Sequence, residues 1–96
     1  MDELGTCLDT AITTECAWIS GHNDVSFSGK TWSECKEACC NDQKCKSFDF
    51  NTNKEKCQLS YVSRAEVQDS FKFETICSTD PWSYTEIGRA RMTSYY

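Results

Sequence analysis

Histidine and proline occur once each in this 96-residue chain, as His22 and Pro81, and glycine occurs only four times. A lone histidine leaves little from which to assemble a Ser-His-Asp or Cys-His site or a histidine-rich metal centre. Its neighbours Gly21, Asn23 and Asp24 are turn formers, so His22 reads as a turn residue hydrogen-bonding local backbone. There is no internal repeat and no low-complexity tract. No long apolar run is present either, which excludes a transmembrane helix and a signal peptide within these residues. The acidic start Met1-Asp2-Glu3 is expected to open a processed fragment whose leader lies outside the 96 residues. No Asn-x-Ser/Thr triplet occurs, so N-glycosylation is not expected. Lysine and arginine are absent from the first 28 residues, which carry five acidic ones, and the net charge is −5. That balance argues against a general affinity for nucleic acid or polyanions.

Cysteine, by contrast, is abundant. Eight cysteines in 96 residues, an even number, fit a closed disulfide set in an oxidising, extracellular compartment. A chain this short holds one domain and buries only about two thirds of the surface its unfolded form exposes, so bridges are needed beside a modest core. Zinc knuckles of the Cys-x2-Cys type are missing, and adjacent Cys39 and Cys40 suit only unusual clusters; neither a metal nor a cofactor is expected. With every cysteine oxidised no thiolate nucleophile remains. The chain is therefore expected not to be an enzyme.

Local patterns place one helix and several strands. Thr31 followed by Glu34 is a capping box, from which a helix runs over Trp32–Cys40 and ends near Asn41-Asp42. Trp32, Cys35, Ala38 and Cys39 share its buried side, while Cys40 projects about 100° from Cys39 and needs a different partner. Alternation over Cys45–Phe50 and again over Cys57–Val62, with turn residues Asn51–Lys56 between them, predicts an antiparallel hairpin. Phe71–Ile76 alternates as another strand. Ala17-Trp18-Ile19 reads as an edge or first strand that ends at the turn Gly21–Asp24. Gly88–Tyr96 shows no buried pattern and is expected to be mobile.

These residues resemble the PAN/apple domain family. The run Glu34-Cys35-Lys36-Glu37-Ala38-Cys39-Cys40, leading into Cys45-Lys46-Ser47-Phe48-Asp49-Phe50 and later Cys57-Gln58-Leu59-Ser60, carries the likeness, which covers roughly Cys16 to Ile87. The segment Ile19–Asp24 is similar to the entry of one extracellular subgroup. The resemblance implies an α+β fold, an antiparallel sheet packed on one central helix. The domain would span 15–87, between an N-terminal extension (1–14) and a flexible tail (88–96). It also implies the bridges Cys35–Cys57 and Cys39–Cys45. The family's habit of joining its terminal strands favours Cys7–Cys77, leaving Cys16–Cys40. The exchanged set, Cys16–Cys77 with Cys7–Cys40, stays open, because an eight-cysteine chain departs from the six-cysteine apple pattern.

In function the resemblance implies a secreted binding or adhesion module for an extracellular carbohydrate or glycoprotein. The alternative is a protein-directed module: a secreted antagonist, an oligomerisation unit or a matrix component, self-associating or part of a larger multidomain chain. No nucleic-acid partner and no membrane insertion are expected. Two groups of residues are candidate ligand contacts. Lys44, Lys46, Lys54 and Lys56 bracket Phe48 and Phe50 and offer ammonium donors beside apolar surface; the plainer reading is a solvated hairpin with core phenylalanines and Lys46 lying along their edge. Trp82 and Tyr84, following Asp80-Pro81, suit a rim that stacks on a sugar or a protein hot spot, unless Trp82 merely covers the end of the sheet.

Overall fold

A computed structural model describes residues 11–75 and 77–88. The helix α1 (Trp32–Asn41) starts where the capping box requires. Thr31 Oγ1 accepts the Glu34 N–H at 3.2 Å and Glu34 Oε1 accepts the Thr31 N–H at 2.9 Å. Two of its cysteines, Cys35 and Cys39, are fully buried, one turn apart.

The hairpin lies beneath this helix. Its strands β4 (Ser47–Asn51) and β5 (Lys56–Ser60) pair antiparallel, with Phe50 opposite Cys57. Three further strands complete a five-stranded antiparallel sheet: β1 (Ile12–Glu15), β3 (Val25–Ser28) and β7 (Trp82–Glu86), in the order β1-β7-β4-β5-β3. A separate pair, β2 (Ala17–Ile19) and β6 (Phe71–Phe73), packs against the other side of β7 and β4. Strand β4 is therefore covered twice. Phe48 and Phe50 join the helical cysteines, Leu59 and Ile87 in the larger core, and Trp32 meets Phe48 at a tilt with centroids 5.8 Å apart. On the opposite face Asp49 accepts the Ile19 N–H at 3.1 Å. All five β4 residues are buried, although their alternation reads as that of a half-exposed strand. The α+β class and the sheet against one central helix stand; what the local pattern did not reveal is the second cover.

The described bridges are Cys35–Cys57, Cys39–Cys45 and Cys16–Cys77. The first two are those the family likeness implied. The third corrects the favoured pairing of Cys7 with Cys77 and of Cys16 with Cys40. Cys16, at φ +60°, is the residue where the chain leaves β1 for β2. Its carbonyl accepts the Glu74 N–H at 2.8 Å, so Cys77, three residues further on, lies within reach, with 5.5 Å between α-carbons. Cys40 is also disulfide-bonded, and Cys7 lies outside the described residues.

Other expectations shift with the strand map. Ile12–Thr14, assigned to an N-terminal extension, belong to β1 and pair with β7 from Ile12 opposite Glu86 to Glu15 opposite Ser83. Of the alternation over Phe71–Ile76, Phe71–Phe73 form a strand that pairs with β2, Glu74 and Thr75 do not continue it, and Ile76 lies outside the described residues. Ala17–Ile19 is a strand of that small sheet, not an edge of the main one. Of the tail expected to be mobile, all but Gly88 lies outside the described residues.

Candidate functional site

Next to the small sheet the surface opens into a groove of about 500 Å³, lined by Arg64, Ala65, Gln68, Phe71, Phe73 and Glu86. Each wall has a local cause. Residues Arg64–Glu66 form a 3-10 turn, held by the Glu66 carboxylate accepting the Ser63 N–H at 2.8 Å. Gln68–Ser70 form a second such turn and lead directly into β6. In β6 the period of two puts Phe71 and Phe73 on one face, with Lys72 on the other. Ile19 opposite Phe71 and Ala17 opposite Phe73 fix that register. Glu86 is the last residue of β7.

Aromatic packing sets the floor. The Phe71 ring meets Tyr84 edge to face at 5.0 Å and Phe73 at 5.3 Å, a geometry favoured by the ring quadrupoles. The Arg64 guanidinium lies over Phe71 at 4.2 Å and reaches Phe73 at 5.8 Å. Phe73 remains 61% exposed, an unusual state for so large an apolar side chain.

The Tyr84 hydroxyl organises the charged walls. It accepts the Arg64 backbone N–H at 2.8 Å and donates to Glu86 Oε1 at 2.7 Å. Burial, and next the bond to Glu86, push the phenol's pKa well above its ordinary value, so it is a permanent donor at neutral pH. Among the described residues the guanidinium of Arg64 and the amide of Gln68 make no hydrogen bond or ion pair, and Arg64 and Glu86 do not pair with each other. The groove thus presents a flat aromatic face, one cation, one anion and one amide (all with free hydrogen-bonding capacity). These groups can stack and hydrogen-bond, and among the described residues lining the groove no nucleophile is placed beside a base.

The residues singled out from sequence fall elsewhere. Lys44 and Lys46 precede β4, whereas Lys54 and Lys56 lie past its far end; five strand residues, about 16 Å, separate the two pairs. The four lysines therefore do not form one patch. Lys46 is engaged by Glu66 at 3.0 Å and Lys44 sits over Tyr61 at 5.8 Å. Lys54 pairs with Asp80 at 3.4 Å and covers the Trp82 ring at 5.8 Å, and Lys56 is half-buried in β5. Trp82 and Tyr84 are not rim residues. Both are buried, and Tyr84 packs with Ala17 and Ile19 of β2, which lies across β7. Tyr84 reaches the groove as its support. His22 lies half-buried between β2 and β3. Among the described residues no cluster of acidic, cysteine or histidine side chains is placed to hold a metal ion, and no helix is long and apolar enough to cross a membrane.

Sequence reasoning missed Arg64, Gln68, Phe71, Phe73 and Glu86 as a group. Their one available signal was the alternation Phe71-Lys72-Phe73, which shows that the two rings share a face but not that the face is open. Comparison with known proteins gives one positive result: the family model described as PAN domain matches residues 7–86. No curated protein matches the chain significantly, and no solved structure does.

Proposed function

Since the chain belongs to the PAN domain family, a family of protein- and carbohydrate-binding modules, we propose that it is a secreted, non-enzymatic module that recognises a carbohydrate, free or as part of a glycoprotein. The observation that carries the reading is the groove itself. Phe73 offers an exposed ring beside the donors of Arg64 and Gln68, which have no partner among the described residues, and the acceptor oxygens of Glu86. An aromatic face takes the C–H side of a sugar ring, and planar polar side chains hold its hydroxyls by paired hydrogen bonds. The volume falls within the range of small-ligand clefts, roughly 300–1,000 Å³.

The same Arg and Phe also suit a protein hot spot, so the test must separate the two. A glycan array probed with the oxidised protein and with Phe73→Ala does so. A discrete sugar signal from the native protein, lost in the variant, supports the carbohydrate reading. Silence across the array, with the fold intact, transfers the groove to a protein ligand.

A further inference from the structure

Among the described residues Arg64 and Glu86 are the charged ones lining the groove, and they do not pair with each other. The Tyr84 hydroxyl touches both, through the Arg64 N–H at 2.8 Å and a Glu86 carboxylate oxygen at 2.7 Å. What keeps them apart is visible. The guanidinium is drawn over Phe71 at 4.2 Å, while the carboxylate is held by the phenol. Of the nearby charges outside the lining, Glu66 is bound by Lys46 and by the Ser63 N–H. In the described lining a ligand therefore meets one positive and one negative group.

That balance selects by charge. A carboxylate or sulfate group gains a bidentate contact with Arg64 but approaches the Glu86 carboxylate, in a chain whose net charge is −5. An amine meets the reverse conflict. A neutral diol satisfies both walls: one hydroxyl accepts from the guanidinium or from Gln68, and its neighbour donates to Glu86. Its C–H face covers Phe73. We propose that the groove takes an uncharged pyranose unit and discriminates against acidic sugars. This rests on the carbohydrate reading above and adds the ligand's charge class.

Isotope-labelled protein would be titrated with the methyl glycosides of galactose, glucose, mannose and N-acetylglucosamine. Parallel titrations would use N-acetylneuraminic acid and a heparin-derived disaccharide. The expected result is a response of the Arg64, Gln68 and Phe73 signals to at least one neutral glycoside, insensitive to added salt. Glu86→Gln keeps the acceptor for Tyr84 but removes the charge, and is expected to weaken the neutral ligand about tenfold. Response to the acidic sugars alone, strengthened by Glu86→Gln, overturns the charge assignment and leaves the carbohydrate reading standing. A sugar response confined to residues outside the groove overturns the site. No response to either set overturns both readings. The comparison of neutral with acidic ligands on the native protein holds even where the variant fails to fold.

Discussion

Asp49 has no exposed surface, yet it is a carboxyl group. Its Oδ2 accepts the Ile19 N–H, and Oδ1 has no partner among the described residues. Its cross-strand neighbours are Gln58 and Tyr84, neither of which supplies a positive charge. Removal from water therefore dominates over the pull of the single backbone donor and raises its pKa from 3.8 to about 7. The sign of the consequence follows from linkage. The folded state holds this proton more tightly than the unfolded chain does. The stabilisation is thus complete below about pH 4 and is lost as pH rises through about 7, a swing on the order of 4 kcal/mol. Glu34 and Glu66 shift the other way, lowered first by the backbone donors of Thr31 and Ser63, so their contribution fades only in acid. Between about pH 5 and pH 8, Asp49 governs the slope. The native protein is expected to unfold at a lower urea concentration at the upper end of this window than at the lower end. Asp49→Asn, neutral at both, should show no such difference. Equal midpoints for the native protein would refute the assignment.

At the scale of single elements, α1 and the β4–β5 hairpin are legible because their causes are local. A capping box, cysteines one turn apart and two alternating runs around a turn all lie within about thirty residues. The cap should be measurable: Thr31→Ala removes the acceptor for the Glu34 N–H and is expected to cost about 1 kcal/mol in denaturant unfolding. Strands β1, β3 and β7 were not legible. Ile-Thr-Thr-Glu holds a single apolar residue, and Val-Ser-Phe-Ser alternates over only four residues, too short a run to stand out. Ile12 finds its partner Glu86 at the other end of the chain, where no local rule looks. Trp82-Ser83-Tyr84-Thr85-Glu86 does alternate, but its position after Pro81 and the last cysteine suggested a rim.

The hairpin tip shows the same limit. Asn51 looks like a turn residue, yet it is the buried last residue of β4. Its Oδ1 accepts the Lys54 N–H at 3.0 Å, and its Nδ2 donates to Asp80 at 2.7 Å. It ties the tip to the segment entering β7. Asn51→Ala strands both partners and is expected to cost about 1–3 kcal/mol, which urea unfolding would read. A variant as stable as the native protein would show that solvent replaces both bonds.

For the whole molecule, the bridges divide the labour between the two covers of β4. Cys39–Cys45 closes a span of 6 residues on the helical side, whereas Cys16–Cys77 closes 61 and fastens the entrance of β2 to the segment beyond β6. On the chain-entropy argument the long closure contributes about 4 kcal/mol and the short one about 2. Location matters as much as magnitude. The small sheet has three residues per strand, too few for independent stability. It is held by its packing on β7 and β4, by Asp49 and by this one bridge. Removing the bridge should therefore loosen β2 and β6, and with them the Phe71–Phe73 floor of the groove, before the helix is disturbed. The measurement compares the paired variants Cys16→Ala, Cys77→Ala and Cys39→Ala, Cys45→Ala by hydrogen exchange and by urea unfolding. The first pair should lose more stability and speed exchange at Ile19 and Phe71 while the amides of α1 stay protected; the second should do the opposite. Equal exchange in both variants would mean that the two covers unfold as one unit, and that the groove floor owes its order to the sheet as a whole.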